Sequence, residues 1–116
     1  MKKVLIAEDD QFIAQAYRDK LKLEGFEVQL AEDGVQTLNL LKSFHPDVLI
    51  LDLVMPKLDG FGVLAELQKQ NSKIKVIVAS NLSQEEDQER ARKLGASGFL
   101  IKSDTPIAKM VEMVKS

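Results

Sequence analysis

Five short β-branched or aliphatic runs recur along the chain, each followed by a segment in which apolar residues return at helical spacing. "KVLIA" (3–7) reads as a buried strand, and "QFIAQAYRDKLKLEG" after it as a helix with Ile13, Tyr17 and Leu21 on one face and Gly25 placed to stop it. "EVQLA" (27–31) is a second strand, followed by a helix over "DGVQTLNLLKSFH" with Asp33 as N-cap and Pro46 just past its end. "DVLILD" (47–52) reads as the central strand, and "DGFGVLAELQKQ" as a helix opened by Asp59. "KVIVAS" (75–80) is a fourth strand. The helix over "SQEEDQERARKLG" carries a capping box from Ser83 to Glu86, acids in its first turn and bases in its last. "SGFLIK" (97–102) is the fifth strand, and "TPIAKMVEMVKS" the last helix, with Thr105 as N-cap and Pro106 in its first turn.

Strands that do not alternate apolar with polar residues are covered on both faces, which argues for a parallel sheet between helical layers. Right-handed crossovers then make a doubly wound, three-layer α/β domain. No linker or low-complexity stretch interrupts the five units, so residues 1–116 are expected to form a single domain. Ligands of such folds bind at the carboxyl ends of the strands.

Composition removes several function classes. A net charge of -2 and a pI near 5.4 give no electrostatic case for direct nucleic-acid binding. The chain has no cysteine, hence no disulfide framework, thiolate nucleophile or zinc finger. The apolar stretch of "MKKVLIAEDD" is too short for a signal peptide and runs into acids, and no run reaches membrane-spanning length. A cytoplasmic protein without membrane contact is expected.

The central run, "VLILDLVMP", carries one carboxylate, Asp52, among aliphatic side chains, where an unpartnered charge is costly. Its neighbours at the strand ends give it a purpose. The first strand runs into Glu8, Asp9 and Asp10, the fourth ends in Ser80 and the fifth in Lys102. Carboxylates converging on one sheet edge repel unless a cation joins them, and hard oxygens in that number suit Mg2+. A lysine and a hydroxyl beside them can hold anionic oxygens. Acids, Mg2+, ammonium and hydroxyl together fit a phosphoryl group, for which Asp52 is placed as nucleophile.

With "AEDD" after the first strand, "LDLVMPKLDG" around Asp52, "VIVAS" ending in Ser80 and "GASGFLIK" ending in Lys102, the chain resembles the receiver domain of bacterial response regulators over essentially its whole length. The resemblance implies a flavodoxin-like (βα)5 fold with five parallel strands in the order 2-1-3-4-5. It implies that Asp52 accepts a phosphoryl group from a histidine kinase or phosphotransfer protein. Asp10, Asp52 and the backbone carbonyl of Val54 would bind Mg2+ directly, and Asp9 through metal-bound water, the other reading of Asp9 and Asp10 being a polar cap for the first helix. Lys102 and Ser80 would contact the phosphoryl oxygens, and Phe99 stands at the family's switch aromatic, where core packing alone is the other reading. Phosphorylation would alter a protein-binding surface made by helix 83–94, strand 97–101 and helix 106–115, read by a downstream protein. Such a domain is a signalling phosphoacceptor, which promotes its own phosphorylation and slow dephosphorylation, and not an enzyme in the ordinary sense.

Other readings fit less well. A non-phosphorylated pseudo-receiver would lack an acid, the acceptor or the lysine, and all are here. A phosphatase of the haloacid-dehalogenase type wants a second aspartate two residues after the nucleophile, where Val54 stands. A flavodoxin-like cofactor carrier wants a phosphate-cradling loop where this chain has acids. His45, before Pro46, falls at the opposite end of the sheet from the acids and reads as a loop residue. Met110 and Met113 read as packing residues, although Met113 falls off the stripe of Ile107, Met110, Val111 and Val114 and is a candidate partner contact. The family pattern is broken at Ser103, where proline is usual, and at Asn81, where a very small residue is preferred. Val54 and Leu82, two positions beyond Asp52 and Ser80, are apolar. Without proline, a trans bond between Lys102 and Ser103 is expected, because a cis one costs about 2.5–4 kcal/mol. No output domain is read in this chain, which acts alone or as the receiver part of a longer protein.

Overall fold

The computed structural model describes residues 2–82 and 84–116. The elements alternate throughout: β1 (Lys3–Ala7), α1 (Gln11–Leu23), β2 (Glu27–Ala31), α2 (Gly34–Phe44), β3 (Val48–Leu51), α3 (Gly60–Lys69), β4 (Lys75–Ser80), α4 (Glu85–Lys93), β5 (Gly98–Ile101) and α5 (Ile107–Lys115). All strand pairs are parallel, in the expected order β2-β1-β3-β4-β5. No helix among the described residues is long and apolar enough to cross a membrane.

The side chains of the inner strands divide by parity, as a two-residue repeat requires. Leu5, Ala7, Leu49, Leu51, Val76 and Val78 face α2, α3 and α4, where Phe44, Phe61, Leu64, Leu67 and Ala91 close the layer. Val4, Ile6, Val48, Ile50, Ile77 and Ala79 face the other way, onto Tyr17 and Leu21 of α1 and Met110, Val111 and Val114 of α5. Each fully buried aliphatic side chain contributes about 1.5–3 kcal/mol over its exposed form, so a one-residue slip of any inner strand would forfeit both layers at once. Met113, although off the stripe, is half-buried against the α1–α5 layer.

Helix ends follow local chemistry. The Asp33 carboxylate accepts from Gln36 N at 2.7 Å and that of Asp59 from Gly62 N at 2.8 Å, so both expected caps form. Gly25, at φ +94°, lets Phe26 N reach Leu21 O and its own N–H reach Lys22 O, closing α1 by paired end bonds that a left-handed residue permits. Two expectations shift. The N-cap of α5 is Pro106, extended at ψ 149°, not Thr105. The helix starts one residue later than its sequence suggests, since proline's fixed φ suits extended backbone as well as a helix, and Thr105 falls short of the first free amides. The cap expected at Ser83 lies outside the described residues; α4 begins at Glu85, and its N-cap Gln84 makes no side-chain cap bond. No cis peptide bond occurs among the described residues, so Lys102 and Ser103 are joined in trans, as expected.

Gly60 sets how closely α3 approaches the end of β3. Its N–H donates to Leu53 O at 3.0 Å, and a Cβ on it would lie 2.4 Å from Asp52 O and 2.7 Å from Leu53 Cα. Backbone on that side cannot swing away as a flexible side chain would. Gly60→Ala is therefore predicted to lower stability by about 1–3 kcal/mol, the range for forced overpacking. Urea unfolding would read this as a lower midpoint at an unchanged m-value, and a midpoint equal to wild type would refute the constraint.

Candidate functional site

Three ladder bonds carry the strand register one residue past the strands and so place the site. Asp52 N donates to Ala7 O at 2.9 Å, Glu8 N to Ala31 O at 3.0 Å and Lys102 N to Ser80 O at 3.0 Å. Parity does the rest. Ile6, Ile50 and Leu100 belong to the α1–α5 face, and the residues two further on are Glu8, Asp52 and Lys102. All three side chains therefore meet above that layer. The Lys102 ammonium lies 2.6 Å from Glu8 Oε1 and 3.1 Å from Asp52 Oδ2, with side-chain exposures of 10%, 4% and 6% respectively. Asp52 is thus buried and paired, and does not end at a wet sheet edge.

Burial and proximity shift the protonation equilibria. Desolvation is the main cause, with the adjacent Asp52 carboxylate adding to it, that pushes the Glu8 carboxyl up to about 8, against 4.5 for a free side chain. Burial pulls Lys102 downward, but its hydrogen bond to Glu8 and the charge of Asp52 outweigh this and hold the ammonium above its usual value. Tyr17, buried in the same layer, has its phenol raised mainly by desolvation, with Lys102 pulling it back.

The acids separate into two groups. Oxygens of Glu8, Asp9 and Asp52 lie within 4.8 Å of one another, close enough to share one cation. Glu8 Oε2 is buried and without a hydrogen-bond partner. Three carboxylates against one ammonium leave room for two positive charges, and an all-oxygen donor set open to water on the Asp9 side fits Mg2+. Asp10 stands apart. Its Oδ1 accepts from Phe12 N at 3.0 Å and Ile13 N at 3.3 Å, capping α1. Val54, more than half exposed, donates its N–H to Asp52 Oδ1 at 3.3 Å. Ser80 is fully buried and its hydroxyl accepts from Leu82 N at 3.3 Å. Phe99 is half-buried against the α2–α4 layer and borders a groove of roughly 310 Å³ between α4 and β5. His45 is the left-handed C-cap of α2, in a separate hollow with Pro46. Glu8 is the residue that sequence reasoning undervalued, since Lys102 approaches it more closely than Asp52; the parity of Ile6 was the signal for it.

The family described as response regulator receiver domain matches residues 4–115. A probable transcriptional regulator ycf27 of Porphyridium aerugineum is 36% identical over 90% of this chain and 43% of its own length. Response regulator MprA of Mycobacterium avium is 31% identical over 86% of this chain and 44% of its own. The chain thus spans less than half of each of these relatives. The receiver domain of the Francisella response regulator 1452 superposes with a TM-score of 0.93 at 35% identity, covering 99% of this chain and 94% of that one.

The raised Glu8 carboxyl makes a pH prediction. Folding takes up a proton on Glu8 wherever the unfolded group would be ionised and the folded one not. That stabilisation is complete below about 4.5 and is lost as pH rises through about 8. Cation-free protein should therefore lose stability across that window, with a limiting slope of about 1.4 kcal/mol per pH unit for one proton. Urea midpoints in a chelating buffer would show it, and Glu8→Gln should flatten the slope. Equal slopes in both proteins would rule Glu8 out as the source.

Proposed function

The chain belongs to the response regulator receiver domain family, and on that premise we propose that Asp52 accepts a phosphoryl group, in a Mg2+-dependent reaction, from a histidine kinase or phosphotransfer protein. The observation that carries this reading is the buried Asp52 carboxylate held by Lys102 beside two further acids. An Asp52 oxygen forms the new bond to phosphorus as the P–N bond of a phosphohistidine breaks, and the departing imidazole nitrogen keeps the electron pair and takes up a proton. Lys102 fixes the orientation of Asp52 beforehand, and its ammonium is near enough to bind a phosphoryl oxygen as charge moves onto Asp52. The Ser80 hydroxyl supplies a second donor, since it uses only an acceptor position on Leu82 N. The cation, when bound, neutralises phosphoryl oxygens. Asp9, Asp52 and the Val54 carbonyl are the residues proposed to hold it, with Glu8 giving up its proton. Asp10, expected from the sequence as a direct ligand, accepts the α1 amides with Oδ1 and stands outside the Glu8–Asp9–Asp52 group, which favours Asp9 for that role. The phosphorylated domain then signals through α4, β5 and α5 to a downstream protein, in the cytoplasm. No observation favours a pseudo-receiver.

With Mg2+ and acetyl phosphate the protein is predicted to gain one phosphoryl group, and Asp52→Asn to gain none. Intact-mass spectra showing equal labelling of the two would overturn the assignment. Asp9→Ala should weaken Mg2+ binding by about tenfold or more. Asp10→Ala should leave Mg2+ affinity nearly intact but cost about 1 kcal/mol of stability through the lost cap. Titration calorimetry and urea unfolding separate these outcomes, and the opposite ranking of Mg2+ affinities would restore Asp10 as the ligand.

The phosphoryl group should also be long-lived. In-line hydrolysis needs a water held behind phosphorus, and neither the exposed isopropyl group of Val54 nor the half-buried Leu82 can hydrogen-bond one. Val54→Asn combined with Leu82→Glu is predicted to accelerate loss of label in a donor-free chase. An unchanged decay would discard this explanation.

A further inference from the structure

The two departures from the family pattern, Asn81 and Ser103, touch each other: Ser103 N donates to Asn81 Oδ1 at 2.9 Å, across 22 residues of sequence. The contact extends the sheet. Ser80 pairs with Ile101 as the last β4–β5 register position, and Lys102 N donates to Ser80 O at 3.0 Å. Just beyond, where backbone pairing stops, the Asn81 carboxamide supplies one more rung. A proline at position 103 has no N–H and would make that rung impossible, and a very small residue at position 81 would offer no acceptor. Asn81 and Ser103 therefore answer one another chemically.

Their neighbours give the rung its purpose. Asn81 follows Ser80, and Ser103 follows Lys102, the two side chains assigned above to the phosphoryl oxygens. The Ser80–Leu82 turn is itself tied, because Leu82 N donates to the Ser80 hydroxyl at 3.3 Å. On the far side, Asp104 N donates to Ile101 O at 3.1 Å and bends the chain after Lys102. Two short turns, each bearing one anion-binding side chain, are thus joined beyond the last backbone bond, Lys102 N to Ser80 O, by a side chain–backbone bond.

We propose that Asn81 is a positioning residue: by accepting the Ser103 N–H it couples the Ser80 turn to the Lys102 turn, so that the hydroxyl and the ammonium move onto the phosphoryl group as one unit. The role rests on Asp52 being the phosphoacceptor. Ser103, in place of proline, is what leaves an amide for the Asn81 side chain to hold.

The test uses the wild-type chain, Asn81→Ala, Asn81→Asp and Ser103→Ala, each with Mg2+. The rate of phosphoryl gain from acetyl phosphate is followed by intact mass, and the Ser103 amide by 15N–1H spectra with and without beryllofluoride. Asn81→Ala is expected to slow phosphorylation about fivefold, the scale of one net hydrogen bond, at unchanged Mg2+ affinity. It should also abolish the response of the Ser103 amide to beryllofluoride. Asn81→Asp keeps an acceptor oxygen and should restore that response. Ser103→Ala keeps the amide and should match wild type in both measurements. An Asn81→Ala protein with wild-type rate and wild-type Ser103 response overturns the coupling, as does a Ser103→Ala protein as slow as Asn81→Ala. Those failures leave Asp52 labelling of the wild type intact, whereas a wild type that takes up no phosphoryl group removes the acceptor and the coupling together.

Discussion

Two carboxylates and one ammonium sit above the α1–α5 layer with little access to water, and the ends of β1, β3 and β5 are arranged so that these charges meet. Removing Lys102 or Asp52 from such a buried set leaves an uncompensated charge, which costs about 3–5 kcal/mol, although well-packed apolar residues in place of all three would be neutral or better. The group is therefore not explained by stability. What it provides is an imbalance. Glu8 and Asp52 together outnumber the single ammonium of Lys102, and burial resolves the excess by keeping a proton on Glu8. A site in that condition has a strong preference for any cation that can take the proton's place.

The helices contribute unequally around this centre. The face carrying Lys102 and Tyr17 is closed by α1 and α5, through six buried side chains. On the other face α4 buries a single residue, Ala91. Among its other ties are an Arg90 guanidinium 4.0 Å above the Phe61 ring and a hydrogen bond from Gln68 to Lys93 O. Elements with few buried apolar contacts open and shift at lower free energy than the rest of a fold. The helix next to the Ser80 turn is thus the one least anchored to the core, and it borders the groove beside Phe99.

Much of this was readable from residue order. Aliphatic runs at a regular beat dictated a parallel sheet, Asp33 and Asp59 announced helix starts, and Gly25 a helix end. The convergence of Asp52 and Lys102 followed from strand ends alone. Adjacent acids were harder, because Asp9 and Asp10 are chemically equivalent on paper. Only the extended backbone at Asp10, φ -79° and ψ 104°, turns that carboxylate onto the α1 amides. Glu8 was accessible by counting two residues from Ile6, but burial made it the closest partner of Lys102, and burial is a property of the assembled layers. The Asn81–Ser103 bond joins residues with no local pattern between them, so nothing short of the folded sheet brings it into view.

The position of Lys102 in the sheet has a dynamic consequence. Its strand, β5, lies at the edge, has four residues and fully buries only Leu100. Edge strands of that kind fray first, and each fraying event would carry the ammonium away from acids that remain on the inner strands β1 and β3. Amide exchange in β5 and occupancy of the acid cluster are then two readings of one equilibrium. A cation bound between Glu8, Asp9 and Asp52 would compete with the Lys102 ammonium for the same oxygens, so the acid cluster and a strand end 94 residues along the chain from Glu8 share one charge balance.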